Sequence, residues 1–476
     1  MWDYVIVGGG PSGLSLAWYF ARYNKKILLI DKNSSLGGCH RVMRVDGLFA
    51  EHGPRIYINN YKMLIAILHD MGYSFEDFFT EYKFSMFSIS TQSAGKINYK
   101  EIGWFVYEFV RFLFNKDYSR KITMRQFMSD HNFSQTTQQY IDKLCRLTDG
   151  AGIDRYTLYE FLQIINQHMF YNIYQPKLPN DVGLIKYWEE ALKKTGNVDI
   201  FLDTEVIDLN IKENLISTMT INKNNKQLNI KGKNYILAIP PKQLIQLLSK
   251  STNDMIKDAF GNYNKLLKWS VASEYLRYMP ITFHWDKKLK LKEVWGLPST
   301  EWGVSFIILS DYMNFNDPRS KTVITTCVTL PDVVSSKINK TANQCSKEEL
   351  IGEVLRQLKV RLRDLPDPMH SILSPEMYQQ DNKWYSSDSA FVYTPAGYGP
   401  LISDKFTNLF SVGTHNGNSK YAFTSMEAAI ENSAALLHLL IPQSKERYPI
   451  LQPVSLEFVI DIIIVLVLFF ILYKMV

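Results

Sequence analysis

The sequence predicts an α/β fold: a Rossmann-type domain interleaved with an α+β domain, plus a C-terminal transmembrane helix. Three observations carry this expectation. A strand, a glycine-rich turn, a helix, a second strand and an acid follow one another at the amino end. Helical patterns dominate residues 61–194, whereas strand-like runs occupy 200–239 and 271–330. Finally, residues 458–473 are almost wholly apolar.

The bulk numbers agree with a folded protein of more than one core. The chain has 476 residues, more than a single core usually serves. Its 46% hydrophobic, 21% charged and 13% aromatic residues argue against extended disorder. The net charge of +6 is small for this length and the lysines are scattered, so no nucleic-acid partner is expected. Cys39, Cys145, Cys327 and Cys345 lie far apart with no CxxC pair, which fits reduced thiols and no metal site.

The first element is the run Asp3-Tyr-Val-Ile-Val-Gly8-Gly-Gly10-Pro-Ser-Gly13, followed by a helix-like stretch to Tyr23, the strand Ile27-Leu-Leu-Ile30 and Asp31. Gly8 permits a tight turn off the first strand. Gly10 lets backbone approach a diphosphate, and Gly13 lets the helix pack closely on the sheet. Pro11 and Ser12 sit at the helix N-terminus, where unpaired N–H groups favour anionic oxygen. Asp31, 18 residues after Gly13, is placed to accept ribose hydroxyls and would repel a phosphate there, with Lys32 beside it. No basic stretch precedes the first strand, so the start is expected to belong to the fold and not to a secretory signal. Between the ends, Asn222-Lys-Asn-Asn-Lys226 reads as a hairpin turn.

At the other end, residues 458–473 include Asp461 and the apolar run from Ile462 to Leu472. These 16 residues span about 24 Å against a hydrocarbon core of ~30 Å, with Asp461 and Lys474 reaching toward headgroups. A polar, proline-bounded linker at 442–457 precedes them. The expectation is a single-pass tail anchor, inserted after synthesis, with the bulk of the chain facing the cytosol.

Four further segments extend the pattern. Leu36-Gly37-Gly38-Cys39-His40-Arg41 supplies a second glycine pair shortly after the acid. Asn180-Asp-Val-Gly183 precedes an amphipathic helix and Asp199-Ile-Phe-Leu-Asp-Thr-Glu-Val206. Tyr235-Ile-Leu-Ala-Ile-Pro240-Pro241 is a strand ending in a proline turn. Asn408-Leu-Phe-Ser-Val-Gly413-Thr414 leads to Ser425-Met426-Glu427-Ala-Ala-Ile-Glu-Asn-Ser433. In this order they resemble the amine oxidase superfamily of FAD enzymes, which includes monoamine and polyamine oxidases, protoporphyrinogen oxidase and the phytoene and carotene desaturases.

The resemblance implies a division into FAD-binding parts at 1–60, 195–250 and 395–441, and substrate-domain parts at 61–194 and 251–394. It implies that Gly37, Gly38, Cys39 and His40 pass beside the flavin's ribityl and phosphate portions. It also implies that Val206 lies against the adenine, and that Gly413, Thr414, Ser425 and Met426 meet the isoalloxazine. Positive charge at the N-terminus of that last helix would suit a reduced flavin.

The chain departs from the family at four places. Thr414 and His415 stand where an acidic residue is usual, and Cys39 replaces an arginine, with Arg41 two places on. No cysteine follows Cys345, so noncovalent FAD is expected. Ser425 replaces one tyrosine of the cage that amine oxidases place around a substrate nitrogen, which weakens the case for an amine. Tyr385, Tyr393, Tyr398, Tyr421 and Phe423 are the candidate replacements. Lys265 and Lys268 lie nearest to the place of the family's flavin-site lysine but read as surface residues.

The leading expectation is therefore an FAD-dependent oxidoreductase acting on a small-molecule substrate, either an amine or a hydrophobic, even lipidic, compound. No catalytic side chain is assigned. A second reading is a flavin isomerase, because His52-Gly-Pro-Arg-Ile-Tyr57 resembles a segment of UDP-galactopyranose mutase. A third is an FAD-binding membrane scaffold without catalysis.

Overall fold

The computed structural model describes all residues except 83–96, 169–170, 252, 274–277, 292–299, 388–390, 422–423 and 476. Its organising element is a five-stranded parallel sheet in the order Leu409–Ser411, Gly232–Leu237, Trp2–Val7, Ile27–Ile30, Val198–Phe201. Residues from both ends and the middle of the chain thus meet in one sheet. Val5, Ile6 and all of Ile27–Ile30 are inaccessible to solvent, as expected for parallel strands covered on both faces. The helices Pro11–Ala21 and Met426–Leu440 pack against one face, where Tyr4 stacks on Phe20 at 3.8 Å. The other face is covered by an antiparallel meander, Thr204–Lys212, Leu215–Lys223 and Lys226–Ile230. Its last turn is the expected hairpin: Lys223 pairs with Lys226, and Asn224 and Asn225 take left-handed φ of 52° and 59°.

A second body contributes a four-stranded antiparallel sheet in the order Val304–Ile308, Thr322–Val328, Met279–Trp285, His370–Leu373. The helix Lys347–Arg361 covers it. Four further helices, Tyr99–Phe114, Met124–Asp130, Gln135–Asp149 and Leu158–His168, enclose a core around Phe112, Phe127 and Leu162. The strand reading of 271–330 begins too early, because Tyr263–Ala272 is a helix. Asn262 starts it by accepting a hydrogen bond from the Lys265 N–H at 3.1 Å. Lys265 and Lys268 project from this helix into solvent.

The expected transmembrane anchor requires correction. Among the described residues, no helix is long and apolar enough to cross a membrane. The C-terminal helix Leu456–Met475 begins on the folded body: Lys116 pairs with Glu457 at 2.5 Å, and Asn166 accepts the Glu457 N–H at 2.9 Å. Asp461 follows one turn later. Membrane contact through this helix is withdrawn with it.

Candidate active site

The glycine turn off the first strand is built by close backbone approach. Gly8 has φ +108°, and a Cβ there would lie 2.2 Å from the Ala238 carbonyl oxygen. A Cβ on Gly13 would lie 1.8 Å from the Gly8 oxygen, so a side chain at either position breaks the turn. Gly10 caps the helix Pro11–Ala21 with extended backbone and no side-chain hydrogen bond. By helix geometry the first-turn N–H groups have no carbonyl four residues back, which leaves them for a ligand.

The second glycine pair closes on the first. The Gly37 N–H donates to the Gly9 oxygen at 2.8 Å, and a Cβ on Gly38 would come within 2.9 Å of the Gly10 Cα. Asp31 locks the same loop, its Oδ2 accepting from the Gly9 N–H at 2.6 Å and its Oδ1 from the Asn33 N–H at 2.8 Å. Burial raises the Asp31 pKa, opposed by these N–H donors. The acid read as a ribose acceptor therefore first holds the phosphate loop in shape.

These turns open into one cavity of about 510 Å³, within the range of small-molecule sites. Gly8, Gly10, Pro11, Ser12, Asp31, Lys32, Gly38, Cys39, His40, Val206, Gly413, Thr414, Ser425 and Met426 line it. Gly13 and Gly37 do not; they shape the turns behind it.

At the far end, Ser425 caps the helix Met426–Leu440 by accepting from the Ala428 N–H at 3.0 Å. That helix is tied to the first by a Ser433 hydroxyl donating to the Ser12 oxygen at 3.0 Å. Glu427 reaches sideways to accept the Met63 and Leu64 N–H groups at 2.7 and 2.9 Å, which places the helix Lys62–Asp70 and Tyr61 before it. Burial pushes the Glu427 carboxyl upward, and the neighbouring Glu431 rises to about 7 for the same reason. His415, where the family carries an acid nearby, lines the cavity with Nε2 3.0 Å from the Ser411 hydroxyl. Burial lowers its pKa to about 4, so it is a neutral imidazole at pH 7.

A further wall, only partly read from sequence, comes from residues 39–57. Arg55 donates to the Cys39 carbonyl oxygen, and its Nε lies 3.8 Å from Glu51. His40 Nδ1 and the Tyr57 hydroxyl are 3.0 Å apart. Burial, reinforced by Arg55 and Arg41, lowers His52 to about 3, and burial lifts Glu51 to about 7 against the pull of Arg55. The positive charge of this wall therefore sits on guanidinium groups, with His52 neutral.

The four tyrosines named from sequence do not line the cavity. Tyr385 stacks on Tyr378, Tyr393 donates to the Thr414 oxygen at 3.1 Å, Tyr398 meets Arg120, and Tyr421 packs edge-on against Tyr61. Phe423 lies outside the described residues. Tyr57, Tyr61, Tyr171, Tyr278 and Phe391 line it instead, with Ile56, Ile58, Ile164, Ile173 and Ile307. Ile56 and Tyr57 belong to the segment at His52–Tyr57 singled out from sequence, whereas Tyr171, Tyr278 and Phe391 come from separate segments without a local motif.

Residues 6–70 match the NAD(P)-binding Rossmann-like domain family. Over 71 residues the chain is 38% identical to the UDP-galactopyranose mutase of Mycoplasma genitalium, which covers 14% of this chain and only 17% of that protein. A crystal structure of an oxidoreductase from Methanosarcina mazei superposes with a TM-score of 0.63 at 14% identity, over 91% of this chain and 99% of that one. Putrescine oxidase bound to putrescine superposes with a TM-score of 0.58 at 12% identity, over 93% and 99%. The chain shares the fold of these two solved structures. In this fold the glycine cradle, the uncapped helix start and the cavity leading to Ser425 fit an elongated dinucleotide: a Cβ would fill the Gly38–Gly10 contact, and a diphosphate would take the free N–H groups.

Proposed function

We propose that the protein is an oxidoreductase that holds FAD noncovalently and oxidises a small, mainly hydrophobic molecule. The observation that carries this reading is the continuity of one cavity from the Gly10–Gly38 cradle to the N-terminus of the helix Met426–Leu440. When bound, the flavin supplies the hydride acceptor. The chain's own part is to grip the diphosphate with backbone, to set Ser425 and His415 at the opposite end, and to exclude water with the isoleucines and tyrosines between.

The apolar and aromatic lining supports a hydrocarbon substrate over a charged amine, since a desolvated ammonium needs a paired anion. Noncovalent binding is supported by the state of one thiol on the cavity wall. Cys327 lines the cavity, but burial pushes its pKa to about 12, which keeps it a protonated, unreactive thiol.

The test is to denature purified yellow protein and weigh the released cofactor and the chain separately. Intact FAD in the supernatant and an unmodified chain mass are expected. Reduction of the bound flavin is then followed anaerobically with a panel of polyprenoids, fatty acids and diamines. Colourless protein that takes up no FAD would end the reading.

A second reading is a flavin-dependent isomerase. It is favoured by His52 and Arg55 lining the cavity and by the 38% match to a UDP-galactopyranose mutase. Turnover only after dithionite reduction, with no net oxidation, would select it.

A further inference from the structure

The start of the helix Pro11–Ala21 offers roughly half an elementary charge, less than a diphosphate requires. Cys39 brings no charge to the second glycine turn, yet two guanidinium groups converge on that turn from elsewhere. Arg41 donates to the Gly38 oxygen at 3.4 Å, and Arg55 donates to the Cys39 oxygen. Both line the cavity, and both side chains are largely buried, at 6% and 15% exposure.

Buried guanidinium groups need compensation, and the two are compensated unequally. Arg41 is paired with Glu376, which follows the strand His370–Leu373 in the second body, 335 residues away in the chain. Among the described residues, Arg55 is countered by Glu51 at 3.8 Å, beyond hydrogen-bond reach. A charge held on the cavity wall and loosely countered is completed by an anionic ligand.

We propose that Arg41 and Arg55 together neutralise the diphosphate of the bound dinucleotide, in place of a charge at position 39, with Glu376 of the second body as the counter-charge of Arg41. This rests on the FAD reading above. It makes the dinucleotide site a product of both bodies of the molecule, not of the amino-terminal unit alone.

The test titrates cofactor-stripped full-length protein with FAD, with ADP, which keeps the diphosphate, and with adenosine, which lacks it. Arg41→Gln and Arg55→Gln should each weaken FAD and ADP about tenfold while leaving adenosine unchanged. Arg55→Lys, which keeps the charge, should recover part of the loss and guards against a variant that fails to fold. Glu376→Gln removes a counter-charge, so ADP should bind no more than about threefold weaker than to wild type, or tighter. Undiminished FAD and ADP binding by both Gln variants would overturn the proposal. So would an equal loss of adenosine binding, or a Glu376→Gln loss as deep as that of Arg41→Gln, since either marks a purely structural role. If wild type itself binds ADP but never FAD, the flavin reading fails while the diphosphate site stands.

Discussion

The two ends of the cavity are specified in opposite ways. At the dinucleotide end, contacts arise from residues close in sequence: Gly8 against Gly13, and Asp31 onto Gly9 and Asn33. At the substrate end, Tyr61, Tyr171, Tyr278 and Phe391 come from four separate segments, and the helix that follows Tyr61 is held at Met63 by Glu427, 364 residues further along. Backbone sterics dominate the first end; burial and long-range hydrogen bonds dominate the second. The difference teaches that the shape of the glycine cradle is set within one short segment, whereas the charged wall beside it and the substrate surface depend on how distant segments dock.

The sharpest way to break this contrast is at the local end. Gly13→Ala forces a methyl to 1.8 Å from the Gly8 oxygen, which the backbone cannot yield without opening the turn. FAD affinity should fall more than tenfold, with a stability loss of about 1–3 kcal/mol, read by flavin fluorescence and thermal melting. Retained FAD binding would show that the turn is not held by this contact.

At the assembled end, Glu51 provides a pH handle. Its pKa is about 7 in the fold against 4.5 ordinarily, so between those values the folded protein keeps a proton that the unfolded chain has released, and stability falls as pH rises. Glu51→Gln removes that slope. The stability of wild type minus variant should therefore drop by up to about 3 kcal/mol from pH 4.5 to 7 in denaturant titrations. His52 and His415, lowered by burial, slope the other way in both proteins, so only the difference is diagnostic. A flat difference would place Glu51 in water.

Ser425→Ala tests the far helix start. Loss of the hydrogen bond from the Ala428 N–H should cost about 1 kcal/mol and shift the bound flavin's absorption without releasing it. An unchanged spectrum would put the flavin ring elsewhere. The smallest effect is expected at Asn225→Gly in the remote hairpin, where glycine accepts the φ of 59° readily. Stability should move by less than about 1 kcal/mol and FAD binding not at all, as a thermal melt and an FAD titration would check.

Much of this protein was legible in its residues, and the limits follow physical lines. The Rossmann unit could be read because much of its constraint is local: Gly8 has a φ of +108°, no side chain fits at Gly13 against the Gly8 oxygen, and a two-residue turn at Asn224 and Asn225 needs left-handed backbone. The closing helix after Ser425 was read from the resemblance of residues 408–433 to a family's closing segment, and a helix Met426–Leu440 stands there. The C-terminal segment was read as a membrane span from its hydropathy alone, whereas among the described residues no helix is long and apolar enough to cross a membrane. The aromatic lining was misassigned because tyrosine occurs throughout the chain, and only packing decides which rings face the cavity. By itself the sequence determined the backbone-coded cradle, where sterics between near neighbours leave one solution. Only the tertiary structure decided the charged wall of Arg41 and Arg55, the reach of Glu376 and the substrate surface, because those depend on which distant segments share one low-dielectric space.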